Sequence, residues 1–346
     1  MKPTRRGLFV LGVIGFSIAM AAGWGPRALN AVVVPLVIVG IAAVVTVART
    51  DEPTIDRRPV TPGFVGEMRT VELVIETDRP TVATLVDAVG DGLDRNRYET
   101  ACTLDGDTVI SYDVELTSRG ETTVGPTTVA VTDLFGLVRR QFETNTRDSV
   151  LVYPPVYTLH GEVRRSLTTV CESSRAFDRS EFDHLREYER GDALRDVHWK
   201  SAAKRPADEL IVTEYTGAET FDRVSVAAES ADGLADEMAA ATATVAAYLF
   251  RVGIGVDLAT PYGASVTTDT DSDEVYALLA TVEAGSVGEQ RREQADVVVR
   301  TTPDGTVLEV GEGRFVFDRV RSSNPVIPPR GRHHEPNAPK RRAVVG

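Results

Sequence analysis

The sequence predicts an α+β multidomain protein: an N-terminal hairpin of two transmembrane helices, a β-sandwich, and a C-terminal α/β domain whose sheet is mostly parallel. Three observations predict it. Two long apolar runs without charge open the chain. A stretch of period-two alternation follows, and beyond it the apolar period lengthens to that of helices between short strands.

The first run, Gly7 to Pro26, is 20 residues without a charge, and Ala28 to Ala48 adds 21 more. At 1.5 Å per residue each is long enough for a hydrocarbon core of roughly 30 Å. Gly25-Pro26-Arg27 reads as the turn between them. Lys2, Arg5 and Arg6 precede the pair, and Arg49, Arg57 and Arg58 follow it. The positive-inside rule then anchors the chain in the cell membrane with its bulk in the cytoplasm. Thr4-Arg5-Arg6-Gly7-Leu8-Phe9 also resembles a twin-arginine export signal, which would put the bulk outside the cell.

Residues 50–66 contain Pro53, Pro59 and Pro62 and read as a linker after the hairpin of residues 1–49. Residues 67–158 read as the β-sandwich. Val71, Leu73 and Ile75 alternate with Glu72, Val74 and Glu76, and Ile110, Tyr112, Val114 and Leu116 with polar neighbours. Asp91-Gly92, Asp105-Gly106, Arg119-Gly120 and Gly125-Pro126 punctuate the strands. Residues 159–212 form a joint dense in charge, with Trp199 at its centre. Residues 213–318 form the α/β domain. There Val224–Ala228, Val256–Ala259, Ala295–Val299 and Thr306–Val310 are short strands. Leu234, Met238, Ala241, Val245, Tyr248 and Val252 mark one helix, and Val275, Leu278, Leu279 and Val282 another. Strands alternating with helices imply parallel pairing. Residues 319–346 are rich in Pro, Arg and His and read as a disordered tail.

The 346 residues carry 51 Asp and Glu against 38 Lys and Arg, a net charge of −13. Residues 1–49 hold +5 and residues 319–346 hold +6, leaving −24 between them. Only Lys2, Lys200, Lys204 and Lys340 are lysine, a composition that points to a salt-loving, halophilic source. The acidic balance argues against nucleic acid as a partner. Cys102 and Cys171 are too few for a disulfide framework or a cysteine-ligated zinc site.

The joint reads Phe182-x-x-Leu185-Arg186-x-Tyr188-x-x-Gly191-Asp192-x-x-Arg195-x-Val197-x-Trp199-x-Ser201-Ala202, followed by Glu209-Leu210-Ile211-Val212. Upstream stand Arg119-Gly120, Gly125-Pro126, Val131-x-Asp133-x-Phe135-Gly136-Leu137 and Val152-Tyr153-Pro154. Together these resemble the signature of the family known as domain of unknown function 58, over essentially residues 5–318. The resemblance implies a membrane hairpin, a β-domain and a von Willebrand factor A-like α/β domain. It also implies association with a MoxR-type AAA+ ATPase and other membrane proteins. The expected function is therefore that of a membrane-anchored, non-enzymatic interaction or assembly protein, in contact with membrane lipid. The other readings are an exported adhesin-like envelope module and an uncharacterised hydrolase built on the joint.

Two departures from the family pattern bear on chemistry. A metal-binding von Willebrand factor A domain carries Asp-x-Ser-x-Ser after its first strand, whose oxygens suit a hard cation. Here the place reads Glu229-Ser230-Ala231-Asp232, so Glu229, Ser230 and Asp232 are weak cation candidates and no cofactor is expected. His198 stands where relatives carry an acid. Asp269-x-Asp271-x-Asp273 mimics the start of a calcium loop, but Glu274 and Ala280 occupy positions that need Gly and Glu, so an acidic helix start explains it.

Overall fold

The computed structural model describes residues 1–24, 30–178, 184–187, 211–214, 223–261, 265–268 and 272–328. The chain divides into two compact units, Met1–Val152 and Tyr153–Gly346.

The first unit begins with β1 (Lys2–Pro3), α1 (Arg5–Trp24) and α2 (Asn30–Ala48). Strands β2 (Thr54–Arg57), β3 (Gly63–Phe64), β4 (Met68–Val89), β5 (Arg97–Glu115), β6 (Gly120–Thr132), β7 (Val138–Thr144) and β8 (Asp148–Tyr153) follow. The long β4 and β5 form one antiparallel hairpin from Met68↔Glu115 to Ala88↔Arg97, with a register shift between Thr77 and Thr81. The period-two alternation buries Val71, Leu73, Ile75, Ala83 and Leu85 on one face. They pack with Leu104, Tyr112, Val129 and Phe142 in a single core. Each such side chain contributes about 1.5–3 kcal/mol by leaving water.

β6 changes partner along its length. Residues 120–124 pair with β8, whereas Thr127–Thr132 pair with β7. The change falls at Gly125, whose φ is +102°. A Cβ there would lie 2.5 Å from the Thr146 carbonyl oxygen, so only glycine fits. The segment read as a linker takes part in the sheet. β2 pairs with β4, which brings Arg57 beneath the core. Arg57 Nη2 donates to Asp87 Oδ1 at 2.7 Å and to Thr127 Oγ1 at 2.8 Å. Tyr112 and Thr127 hydroxyls also donate to the Asp87 carboxylate, at 2.5 and 2.7 Å. Asp87 is fully buried, and these three donors offset the cost of burying its charge.

α1 is fastened to the sheet at its start. Thr4 Oγ1 caps the helix by accepting from the Gly7 N–H at 3.1 Å, and it donates to the Gly136 carbonyl. The buried Asp133 carboxylate collects the N–H groups of Phe135, Leu137 and Val138 at 2.7–2.9 Å. The family-like run Asp133-x-Phe135-Gly136-Leu137 is thus the turn that grips the helix. It leaves Leu134 and Phe135 exposed.

The transmembrane hairpin is corrected. Among the described residues, no helix is long and apolar enough to cross a membrane. α1 gives its first turn to Arg5 and Arg6, so its uncharged stretch Gly7–Trp24 is about 27 Å long, and the 19 residues of α2 reach about 28 Å, both under a core of roughly 30 Å. A two-span membrane protein, and the cell-membrane localisation drawn from it, are therefore not supported. α1 and α2 still expose large apolar side chains, Phe9 and Phe16 most fully, and with Leu137 and Val138 they line a cavity of about 570 Å³.

The second unit opens with α3 (Glu162–Asp178), then β9 (His184–Glu187), β10 (Ile211–Glu214) and β11 (Arg223–Ser230). α4 (Ala235–Arg251), β12 (Gly255–Ala259), β13 (Ser265–Thr268), α5 (Ser272–Thr281) and α6 (Glu289–Glu293) come next. β14 (Val297–Thr302), β15 (Gly305–Val310), β16 (Gly313–Val316) and α7 (Phe317–Val320) close it. β9 and β10 form a separate two-stranded ribbon. The other six strands lie in the order β13-β12-β11-β14-β15-β16. α4 is buried from Met238 to Ala246, because its alanines let it pack closely against β11, β12 and β14.

This sheet corrects the expectation of mostly parallel pairing, and the von Willebrand factor A-like assignment is not supported. β11 is parallel to β12 and β14, but β12–β13, β14–β15 and β15–β16 are antiparallel. The reason is loop length. Thr302 pairs with Gly305 and Val310 with Gly313, so only two residues join each pair of strands. A parallel crossover needs a dozen or more. Gly311, at φ +55°, supplies the backbone turn that the second of these loops requires. This sheet is mixed, whereas the pairings described in the first unit's sheet are antiparallel, and the described residues carry more strand than helix.

The segment 319–328, read as the start of a tail, is held in place. Val326 pairs with Val156, and Arg321 with Leu159. The Arg321 guanidinium lies 4.3 Å from the Tyr157 ring centroid and donates to Asp318 at 2.8 Å.

Candidate functional site

In the second unit the central strand β11 leads through α4 to β12 on one side. The chain returns through α5 and α6 to β14 on the other. The order of the sheet therefore reverses between β11 and β14. Open α/β sheets place their ligand crevice at the carboxyl ends of the strands that flank such a reversal. A crevice of about 480 Å³ lies there, lined by Glu229, Ser230, Arg292, Arg300 and Thr301 among others.

The ladder assembles it. β11 is apolar from Val226 to Ala228 and buried there, then turns polar at Glu229 and Ser230. The parallel register sets Glu229 beside Arg300 and Ser230 beside Thr301. Arg300 Nε donates to Glu229 Oε1 at 2.7 Å. This bond holds the Arg300 pKa above the ordinary arginine value. Arg292, on α6, stands with Nη1 3.9 Å from Glu229 Oε2 and Nη2 3.6 Å from Glu289. Both contacts exceed hydrogen-bond length, so among the described residues its donors make no hydrogen bond. Backbone bonds brace the floor: Ser230 and Gly285 exchange N–H···O bonds of 2.9 and 3.0 Å, and Ala231 donates to Thr301 at 2.9 Å.

Two polar atoms of this crevice stand out. Ser230 Oγ and Glu229 Oε2 are buried and make no hydrogen bond among the described residues. Buried polar atoms are normally paired, because leaving one unpaired costs about 1–3 kcal/mol.

Of the three cation candidates, the structure brings Glu229 and Ser230 together and leaves Asp232 exposed, outside the crevice. Among the described residues, no group of three His, Cys, Asp or Glu is placed to hold a metal ion. The neighbouring guanidiniums favour an anion over a cation at this spot. Of the signature residues named from Phe182 to Ala202, the structure describes only the backbone of Leu185 and Arg186. They pair in β9 with Thr213 and Val212 of β10, so the two halves of the signature are joined as one ribbon. Phe182, Tyr188, Gly191, Asp192, Arg195, Trp199, Ser201 and Ala202 lie outside the described residues, as does His198.

Sequence reasoning missed Arg292 and Arg300. One signal was available: Arg300 ends the apolar run Val297-Val298-Val299 within a strand, where a solitary charge calls for a partner. Its partner is 71 residues away, out of reach of any local pattern.

No family model matches the chain, and no curated protein does. Among solved structures, a CARDB domain from Pyrococcus furiosus, described in complex with di-metal ions, is 13% identical. It covers 30% of this chain and 93% of its own length, at a TM-score of 0.21. A PKD domain of an M14-like peptidase from a Thermoplasmatales archaeon is 15% identical, covering 28% and 94% at a TM-score of 0.20. The complex of zinc 2-glycoprotein with prolactin-inducible protein from human seminal plasma is 14% identical, covering 30% and 96% at 0.21. Likenesses at such scores carry no argument about family or function.

Proposed function

We propose that this chain is a non-enzymatic interaction or assembly protein of the domain of unknown function 58 type, acting with a MoxR-type AAA+ ATPase and requiring no cofactor. What supports the reading is the crevice between β11 and β14. Where such a sheet holds its ligand, the chain offers two arginines, a carboxylate and a hydroxyl. Those groups bind and orient a charged partner. They do not form a nucleophile–base pair of the kind hydrolysis needs, in which the base is itself oriented by a third group. The ATPase is named on the resemblance of the joint, Phe182 to Ala202, which serves either as a contact surface or as structural support.

The test is co-purification of the full chain with a MoxR-type ATPase from the same organism. The interaction is expected to survive gel filtration. Arg195→Ala and Trp199→Ala are expected to weaken it if the joint is the contact surface and to leave it intact if the joint is structural. Absence of any complex with the wild-type chain sinks the reading.

A further inference from the structure

We propose that the crevice between β11 and β14 is a docking site for a single carboxylate, the Asp or Glu side chain of a partner protein. The inference rests on the interaction reading above and names the chemistry of that site.

Four observations lead to it. The crevice sits where the strand order reverses, so the ends of β11 and β14 form its rigid floor. Among the described residues, Arg292 commits none of its donors to a hydrogen bond, and Arg300 commits only Nε. Planar guanidiniums with free N–H pairs match the two oxygens of a carboxylate. Ser230, nine-tenths buried, lines the crevice with a hydroxyl that makes no hydrogen bond among the described residues, and a hydroxyl can donate to the same anion. Finally, the lining charges are Arg292 and Arg300 against Glu229 alone. One negative charge brings the crevice to neutrality. A phosphate dianion would overshoot and stand beside Glu229, with Glu289 and Glu309 close to the same arginines.

In this arrangement Glu229 is the internal competitor. It occupies Arg300 Nε while the partner is away, and its Oε2 repels an incoming carboxylate. Its removal therefore has a diagnostic sign: a carboxylate binds more tightly to Glu229→Gln, whereas a cation loses its ligand.

The experiment is calorimetric titration of the full chain with a short blocked peptide bearing one Asp. Its Asn counterpart, acetate, inorganic phosphate and manganese chloride are the comparison probes. The Asp peptide is expected to bind saturably and the Asn peptide about tenfold more weakly or worse. Arg292→Gln is expected to weaken the Asp peptide about tenfold, Ser230→Ala severalfold, and Glu229→Gln to strengthen it severalfold. Arg292 is one-third exposed and makes only long contacts, so its variant is expected to fold, and thermal melting of each variant verifies this. Failure of the Asp peptide to bind the folded wild-type chain overturns the proposal, as does binding unaffected by Arg292→Gln. So does phosphate that binds more tightly than the peptide, acetate that binds as well as the peptide, or manganese bound by the wild type and lost in Glu229→Gln. If the peptide fails while the ATPase complex persists, the carboxylate site falls and the interaction reading stands. If the peptide binds and no ATPase complex forms, the reverse holds.

Discussion

The Arg57–Asp87 pair shows how strongly a residue's surroundings set its worth. Both side chains are almost wholly buried, at 4% and 0% exposed, and Tyr112 and Thr127 complete the bonding of Asp87. Asp87→Ala leaves the buried Arg57 guanidinium with only its longer 3.6 Å ion pair to Asp148 among the described residues and is expected to cost about 3–5 kcal/mol in urea denaturation. Arg58 and Glu72 form an equally direct pair on the surface, 64% and 35% exposed. Arg58→Ala is expected to change stability by less than about 1 kcal/mol in the same assay. Tyr112 adds a pH dependence. Burial first, and then its bond to Asp87, push its phenol far above the ordinary value of 10.0. The folded chain keeps that proton while the unfolded chain releases it. Stability is therefore intact below about pH 10 and falls above it. The urea midpoint is expected to drop between about pH 8 and pH 11, and Tyr112→Phe to reduce the drop.

Among the elements, the turn 133–138 controls the seating of α1. Asp133→Ala strands three N–H groups and is expected to cost at least about 1.5–3 kcal/mol. Thr4→Ala, which removes the cap and the bond to the Gly136 carbonyl, is expected to cost about 1–2 kcal/mol. Hydrogen exchange at the Phe135, Leu137 and Val138 amides distinguishes the two, since only Asp133→Ala frees all three. Elements were legible where one period dominated. The alternation of β4 and β5 and the stripe of α4 are plain in the residues. α3 is hard to read in the residues because its stripe of Val163, Leu167, Val170 and Cys171 is short and set in a polar run. β2 was hidden by flanking prolines and by Ile55 being its one apolar residue. Periodicity says that β14, β15 and β16 are strands but not which way they run. The two-residue loops at Pro303-Asp304 and Gly311-Glu312 carry that information. The crevice was half legible: Glu229 and Ser230 fall just past an apolar strand, but the ladder that adds Arg300 exists only in the folded chain.

On the scale of the whole molecule, charge is the dominant quantity. A chain of −13, with −24 between residues 50 and 318, repels itself at low ionic strength. Raising potassium chloride from about 0.1 M to about 1 M shortens the Debye length from about 10 Å to about 3 Å. The melting temperature is expected to rise over that range, and a fall would show that attractive surface pairs outweigh the net repulsion. The pairing of Val156 with Val326 and of Leu159 with Arg321 carries a separate consequence. The stretch that leads into the second unit and the stretch that leaves its last helix run side by side. A connector of a few residues is therefore long enough to splice them, and the unit can be circularly permuted. New termini opened in the exposed turn at Asp232-Gly233 would keep both of its sheets, whereas a cut within 156–159 or 321–326 would unfasten the seam that closes it.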